Sequence, residues 1–182
     1  LYTVTVSGDS GVATSEAAEL VINQVFLDEG FQPNFVQTFA THVSSFGVQQ
    51  DGQIVVGGSF NKVGGVSRIN IARLEPDGGV DPHYNLIPNQ WVRTVVVQED
   101  GKSLLGGYFS TLNGTSRRLA RLNQDGSIDS FAAAPNDWVE ALAVQPDGKI
   151  LVGGWFTSLG WSSATTERIG RLLPNGAVDN TF

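Results

Sequence analysis

The chain carries two histidines, His42 and His83, eighteen aspartates and glutamates, and no cysteine. A thiolate zinc site is therefore excluded, and neither histidine sits in a metal-ligand spacing. No His-Glu-x-x-His, Gly-x-Ser-x-Gly, phosphate-loop or dinucleotide fingerprint occurs, and the Gly-Asp-Ser-Gly stretch at Gly8 to Gly11 lacks a strand-to-helix setting. Asp77, Asp125 and Asp147 each precede a glycine in a turn-like tetrapeptide, where a carboxylate serves the turn itself. Asp81, Asp129 and Asp179 recur as a second set, but a hard cation such as calcium needs about six or more clustered oxygens, which this set does not bring. The aromatic residues remain. Trp91 and Trp138 hold matching places in PNQWV and PNDWV, where His42 stands earlier in the chain; Tyr108 and Trp155 match one another in Gly-Gly-x-Phe, and Trp161 lies a little further on. Rings at regular spacing can stack on sugars or plug the space between repeated units. Trp91, Trp138, Tyr108 and Trp161 are thus the candidate ligand-binding residues, for a glycan, and no cofactor, metal or catalytic set is expected.

The elements that must position these rings are repeats. VQQDGQIVVGGSF (Val48 to Phe60), VQEDGKSLLGGYF (Val97 to Phe109) and VQPDGKILVGGWF (Val144 to Phe156) align without gaps, and each is followed by a second block: ARLEPDGGVD (Ala72 to Asp81), ARLNQDGSID (Ala120 to Asp129) and GRLLPNGAVD (Gly170 to Asp179). Each block centres on a turn signal with Asp or Asn before a Gly suited to a left-handed position, which is the three-residue hairpin loop with a bulge. Each unit therefore reads as two hairpins, or four short strands. In the middle unit these run from Val92 to Gln98, Lys102 to Phe109, Arg117 to Asn123 and Ser127 to Phe131.

A three-residue loop also fixes register. Glu75 then faces Gly79, so Arg73 faces Asp81, Arg121 faces Asp129 and Arg171 faces Asp179. Cross-strand pairs of this kind contribute about 0.2 to 1 kcal/mol each, more when half-buried and fork-bonded. Leu74 with Val80, Leu122 with Ile128 and Leu172 with Val178 turn to the opposite, core-facing side. Four antiparallel strands per unit define an all-β fold of β-propeller blades, with repeat 1 at residues 35–84, repeat 2 at 85–131 and repeat 3 at 132–182. The glycine pairs at 57 and 58, 106 and 107, and 153 and 154 fall inside the second strands. They signal a bulge or a close approach by backbone or ring, with Phe60, Phe109 or Phe156 over the space left open. Gly153→Val is accordingly expected to lower stability.

These blocks resemble the bacterial delta-60 repeat family, whose units read close to V-x-P-D-G-K-I-L-V-G-G-x-F and then R-L-x-x-D-G-x-x-D-x-x-F. Residues 144–182 follow that pattern through Asp179 and Phe182, and the likeness spans Phe31 to Phe182. The first unit departs at DPHY (Asp81 to Tyr84), where Tyr replaces the closing Phe, and the third carries an insert around Trp161 to Thr166. The resemblance implies a propeller-like fold in secreted or surface bacterial proteins without a common activity. The first stretch, residues 1–23, alternates Tyr2, Val4 and Val6 with polar residues around a Gly-Asp-Ser-Gly turn and closes at Leu20 to Ile22. It resembles the terminal hairpin of a bacterial immunoglobulin-like domain, joined through a linker at residues 24–34.

The formal charge of -7 over 182 residues argues against nucleic acid and anionic membrane as partners, and no apolar run is long enough to span a bilayer. With 41% hydrophobic residues the chain can bury a core. It begins with Leu1 and contains no Met, so a piece of a longer protein is expected. A lone hairpin and three blades both leave open edges, which invite assembly. The expected function is non-enzymatic: a structural or interaction module of an extracellular or cell-surface bacterial protein that associates with its own copies or neighbouring repeats, in adhesion, matrix or filaments. A lectin-like propeller is the alternative.

Overall fold

A computed structural model describes residues 5–8, 11–14, 31, 33, 35–36, 42–160 and 167–182. Every regular element among them is a strand. Thr5–Gly8 pairs with Gly11–Thr14 as an antiparallel hairpin with Gly8 opposite Gly11. The run from Leu20 to Ile22, the linker at 24–30 and the insert with Trp161 lie outside the described residues.

Three antiparallel sheets follow, each a meander of lead, middle and third strand. The first comprises His42–Val48, Ile54–Ser59 and Ile71–Leu74. The second comprises Val92–Val97, Ser103–Gly107 and Leu119–Leu122. The third comprises Val139–Val144, Ile150–Gly154 and Ile169–Leu172. The expected fourth strands contract to single bridges, Leu74 with Val80, Leu122 with Ile128 and Leu172 with Val178. One further ladder bond follows each bridge, from Asp81, Asp129 and Asp179 N to Arg73, Arg121 and Arg171 O, and at Asp81 and Asp179 the chain then turns away as the carboxylate accepts from His83 N or Thr181 N. Third strands begin later than expected: Arg117 lies outside Leu119–Leu122.

Turn chemistry sets each register. In the turns after the lead strands Gly52, Gly101 and Gly148 have φ of 85°, 80° and 78°, and in those after the third strands Gly78, Gly126 and Gly176 have 86°, 89° and 89°. Only glycine adopts such a backbone without strain. The residue before each accepts a hydrogen bond from the backbone two positions on: Asp51 from Gln53, Asp77 from Gly79, Asp100 from Lys102, Asp125 from Ser127, Asp147 from Lys149 and Asn175 from Ala177. The closing bonds run from Glu75 N to Gly79 O, Asn123 N to Ser127 O and Leu173 N to Ala177 O, the three-residue register.

Between middle and third strand each of the first two blades inserts a small ribbon that the repeats did not reveal. Lys62–Val63 pairs with Val66–Ser67 and with Phe35–Val36; Thr111–Leu112 pairs with Thr115–Ser116 and bridges to Pro88. The tips, Gly64-Gly65 and Asn113-Gly114, all have positive φ, as a tight hairpin turn demands.

The cores lie between blades. Successive middle-strand residues point to opposite faces, so Leu105 joins Val55, Ile71, Val92 and Val95 between the first and second blades, while Leu104 joins Leu119, Val139, Ile150 and Val152 between the second and third. The other face of the first blade buries Val56, Ala72 and Leu74 under Phe60, Val63 and Phe35. The ring of Phe60 meets Phe35 edge-on at 5.0 Å, and Phe60, Phe109 and Phe156 are all fully buried.

Candidate functional site

Each of the rings at a blade entry sits just before or at the start of a lead strand, at a bulge. The pairing of lead and middle strands shifts register between Val43 and Ser45, between Gly106 and Gly107, and between Val139 and Ala141. The second glycine of each pair makes that shift possible. A Cβ on Gly58, Gly107 or Gly154 would lie 2.2, 2.3 or 2.1 Å from the carbonyl oxygen of His42, Trp91 or Trp138. Trp91 O and Trp138 O in turn accept from Tyr108 N and Trp155 N at 3.0 and 2.9 Å. The bulge thus places the entry residue of a blade beside the residue after its glycine pair.

Across blades these positions join into a row. His42 meets Trp91 edge-on at 5.4 Å, Trp91 lies 6.0 Å from Tyr108, and Tyr108 lies 4.8 Å from Trp138. Trp91 and Trp138 remain substantially exposed. Beside the row, Glu140 Oε2 takes hydrogen bonds from Arg93 Nε at 3.2 Å and from the Tyr108 hydroxyl at 3.4 Å. Burial and the acidic neighbour together hold the Tyr108 hydroxyl protonated by raising its pKa. Trp155 continues the series on the third blade, with the Arg168 guanidinium 5.3 Å from its ring. Of the four ring candidates, Trp91, Tyr108 and Trp138 are brought together, and Trp161 lies outside the described residues. Arg93 and Glu140 share one repeat position but not a residue type, whereas Arg168 matches Arg118, a repeat that the sequence offered.

The Arg–Asp positions form a second constellation. Arg73, Arg121 and Arg171 donate through Nε to Asp81, Asp129 and Asp179 at 2.8, 2.7 and 2.8 Å. Each arginine also stacks on an aromatic ring just past its partner: Tyr84 at 4.8 Å, Phe131 at 4.6 Å and Phe182 at 4.9 Å. Lys102 and Lys149 add further contacts to Asp129 and Asp179 at 3.0 and 3.1 Å. The lysine contact, with Arg121, lowers the Asp129 carboxyl to a pKa of about 2. Hydrogen bonds from Thr181, then Lys149 and Arg171, keep Asp179 below the usual carboxylate range. At Asp81 burial opposes ionisation, and the His83 backbone N–H and Arg73 outweigh it.

The free arm of the arginine reaches out of its own blade. Arg73 Nη1 donates to the carbonyl of Gln124, in the turn of the second blade, and Arg121 Nη1 donates to that of Pro174, in the turn of the third, at 2.5 Å. The aromatic partners follow. A Cβ at Gly126 would stand 2.6 Å from the Tyr84 ring, and one at Gly176 would stand 2.8 Å from the Phe131 ring. Arginine and ring of one blade therefore clamp the glycine turn of the next.

The first glycine of each pair completes the junction. A Cβ at Gly57 would lie 2.5 Å from Val92 Cγ1 and 2.9 Å from Val95 Cγ2; one at Gly106 would lie 2.5 Å from Val139 Cγ1. Each glycine is a hole that receives the lead strand of the following blade. Gly153 differs: its nearest neighbours would be Ala141 Cβ and the Arg168 carbonyl, both at 3.8 Å. Within this chain the crowding on which the expectation for Gly153→Val rests is therefore found at Gly57 and Gly106 and not at Gly153. Among the described residues no group of three His, Asp or Glu side chains could hold a metal ion. Two clefts, of about 960 and 790 Å³, are lined by no histidine.

The fold and its junctions are those of a repeat protein built from propeller-type blades. The family model of a beta-propeller domain of unknown function, DUF5122, matches residues 49–84, 98–131 and 145–182, more than half of the chain, and the chain belongs to that family. No curated protein matches it.

Proposed function

We propose that the chain is a non-enzymatic structural and interaction module of a secreted or cell-surface bacterial protein, one that associates with its own copies through open blade faces in adhesion, matrix or filaments. In that reading its units are delta-60 repeats and its first hairpin is the tail of an immunoglobulin-like domain. The observation that carries the association is the contrast between matched positions. Val92 and Val95 are buried against the first blade, whereas their equivalents Val43 and Phe46 are exposed, Phe46 by 65%. Ile71 and Leu119 are buried, whereas their equivalent Ile169 is 56% exposed. Apolar faces of this kind on a soluble domain mark interaction surfaces. Sedimentation velocity of the chain over a hundredfold concentration range tests the reading. Species larger than the 19.4 kDa monomer are expected, and a monomer throughout would overturn it.

A second reading, glycan binding, draws on the exposed rings of Trp91 and Trp138, which flank Tyr108 in one row. Aromatic faces backed by a carboxylate and an arginine suit sugar rings and their hydroxyls. Binding on a glycan array that disappears with Trp138→Ala, while thermal unfolding is unchanged, is expected; silence across the array removes this reading.

A further inference from the structure

Beyond either reading above, the geometry points to a binding site for a small organic anion in the cleft between the ribbon of the second blade and the stretch that leads into the third, with Arg117 and Arg118 as its cationic groups. The cleft, of about 960 Å³, is lined by Thr115, Ser116, Arg117 and Arg118 from the ribbon and its exit, and by residues 131–136 from the connecting stretch. Two arginines and no carboxylate stand among the described residues that line it, a local sign opposite to the formal charge of -7 on the chain. Both arginines are unspent. No hydrogen bond or ion pair joins the Arg117 guanidinium to any described residue, and its Nε is buried without a partner. Arg118 approaches Asp137 at 3.8 Å, beyond hydrogen-bond distance, and Asp137 already accepts from the backbone N–H of Trp138 at 2.8 Å.

The matched arginine of the first blade behaves otherwise. Arg68 and Arg117 each follow a serine at the end of a ribbon, and their backbone N–H groups donate to Asn61 O and Ser110 O at 3.0 and 2.9 Å. Nε is unmet in both, so the difference lies in the outer nitrogens. Arg68 Nη1 and Nη2 donate to the carbonyls of Ser67 and Asp81 at 2.7 and 2.8 Å, and the residue is buried. One position thus braces the first blade and offers a free fork in the second. The connecting stretch explains the space in front of that fork. Counted back from Pro88-Asn89 and Pro135-Asn136, Leu86 and Ile87 stand where Ala133 and Ala134 stand. Leu86 is buried in the core between the first and second blades, whereas the two alanines line the cleft. An arginine fork meets two oxygens of a carboxylate or phosphate at once, and the exposed hydroxyls of Thr115 and Ser116 add donors. Phe131, the alanines and Pro135 supply the apolar lining that an organic body needs, in a volume usual for small-molecule sites.

Titration of the full chain in low salt with glucuronate and with glucose 6-phosphate tests this, with acetate and inorganic phosphate as bare anions and glucose as the uncharged control. Binding is read from the arginine Nε–H resonances by NMR, that of Arg117 being assigned by its disappearance in Arg117→Gln. Saturable binding of anions that moves the Arg117 resonance is expected, with none for glucose. Because Arg117 has no partner in the chain, Arg117→Gln should keep the circular dichroism and melting temperature while raising the dissociation constant at least about tenfold. Ala134→Ile, which narrows the cleft and keeps both arginines, should weaken binding as well. Lys62→Gln removes an exposed cation outside the cleft and should leave binding unchanged. Response to glucuronate and acetate alone would mark the ligand as a carboxylate, and response to glucose 6-phosphate and phosphate alone would mark it as a phosphate. No binding of any anion at millimolar concentration, binding that survives Arg117→Gln or Ala134→Ile, or a loss that Lys62→Gln reproduces would overturn the site.

Discussion

Gly106 and Gly153 hold the same place in the same motif, five residues after a turn glycine and just ahead of an aromatic pair, yet their surroundings differ. Gly106 is buried against Val139 of the next blade, and Gly153 looks onto space bounded by its own blade. The clamps differ in the same way: Arg73 grips a neighbouring turn, and Arg171 stays at home. Repetition of sequence therefore specifies a junction with two sides, a glycine hole on one blade and a lead strand on the next. The Arg–Asp pair within the blade is constant, and it forms in all three.

The largest expected effect falls on the clamps. Arg73 and Asp81 are almost wholly buried, so Asp81→Ala leaves an unpaired guanidinium inside a junction and should cost about 3 to 5 kcal/mol in denaturant unfolding. Asp179→Ala, measured on the isolated chain, should cost clearly less, because Arg171 holds no neighbouring turn and can turn to water. Equal losses would show that the clamp acts within its hairpin and adds nothing across the junction.

The glycine holes come next. Gly106→Val forces Val139 aside and should destabilise by about 1 to 3 kcal/mol, with a melting temperature lower by roughly 2 to 4 °C for each kcal/mol. Gly153→Val in the isolated chain should stay within about 0.5 kcal/mol of the wild type. A comparable loss at both sites would mean that the hole at Gly153 is already filled.

A smaller effect, of opposite sign, is expected at Tyr84. It takes the place that Phe131 and Phe182 hold in the other blades, and its buried hydroxyl finds no hydrogen-bond partner among the described residues. An unmet buried polar group is costly, so Tyr84→Phe should raise stability by about 1 kcal/mol, read from the denaturation midpoint. A loss would point to a partner for the hydroxyl.

What the sequence carried depended on range. The hairpin turns were legible because Asp-Gly and Asn-Gly chemistry is local, and with the loop length came the register that faces Arg73 with Asp81. The fourth strands end sooner than the repeats suggest, since the side-chain turns by which Asp81 and Asp179 accept from His83 N and Thr181 N are specific to each blade's own tail. The second ribbon has a local signal, since Asn113-Gly114 is a hairpin turn in its own right, but it falls between the two blocks that recur. The aromatic positions were visible by spacing, while their joining into one row needed the stacking of blades. The second role of the arginines was the least legible, because a guanidinium reaching a backbone carbonyl about fifty residues away leaves no trace in side-chain type.

Acid titration separates the two halves of the clamp. The Asp129 carboxyl ionises in the folded chain at about 2, below the value near 4 of an unfolded aspartate, so its contribution is complete above about pH 4 and is lost as the pH falls towards 2. Asp179 is lowered in the same direction, although its arginine clamps no neighbouring turn. If depression arises inside the blade, Asp129→Asn and Asp179→Asn should each flatten the decline in unfolding free energy between pH 4 and 2, and to a similar degree. That result would assign the charge pairing to the hairpin and leave the reach across the junction to the arginine's free arm. A flattening confined to Asp129→Asn would instead tie the carboxylate to the presence of a following blade.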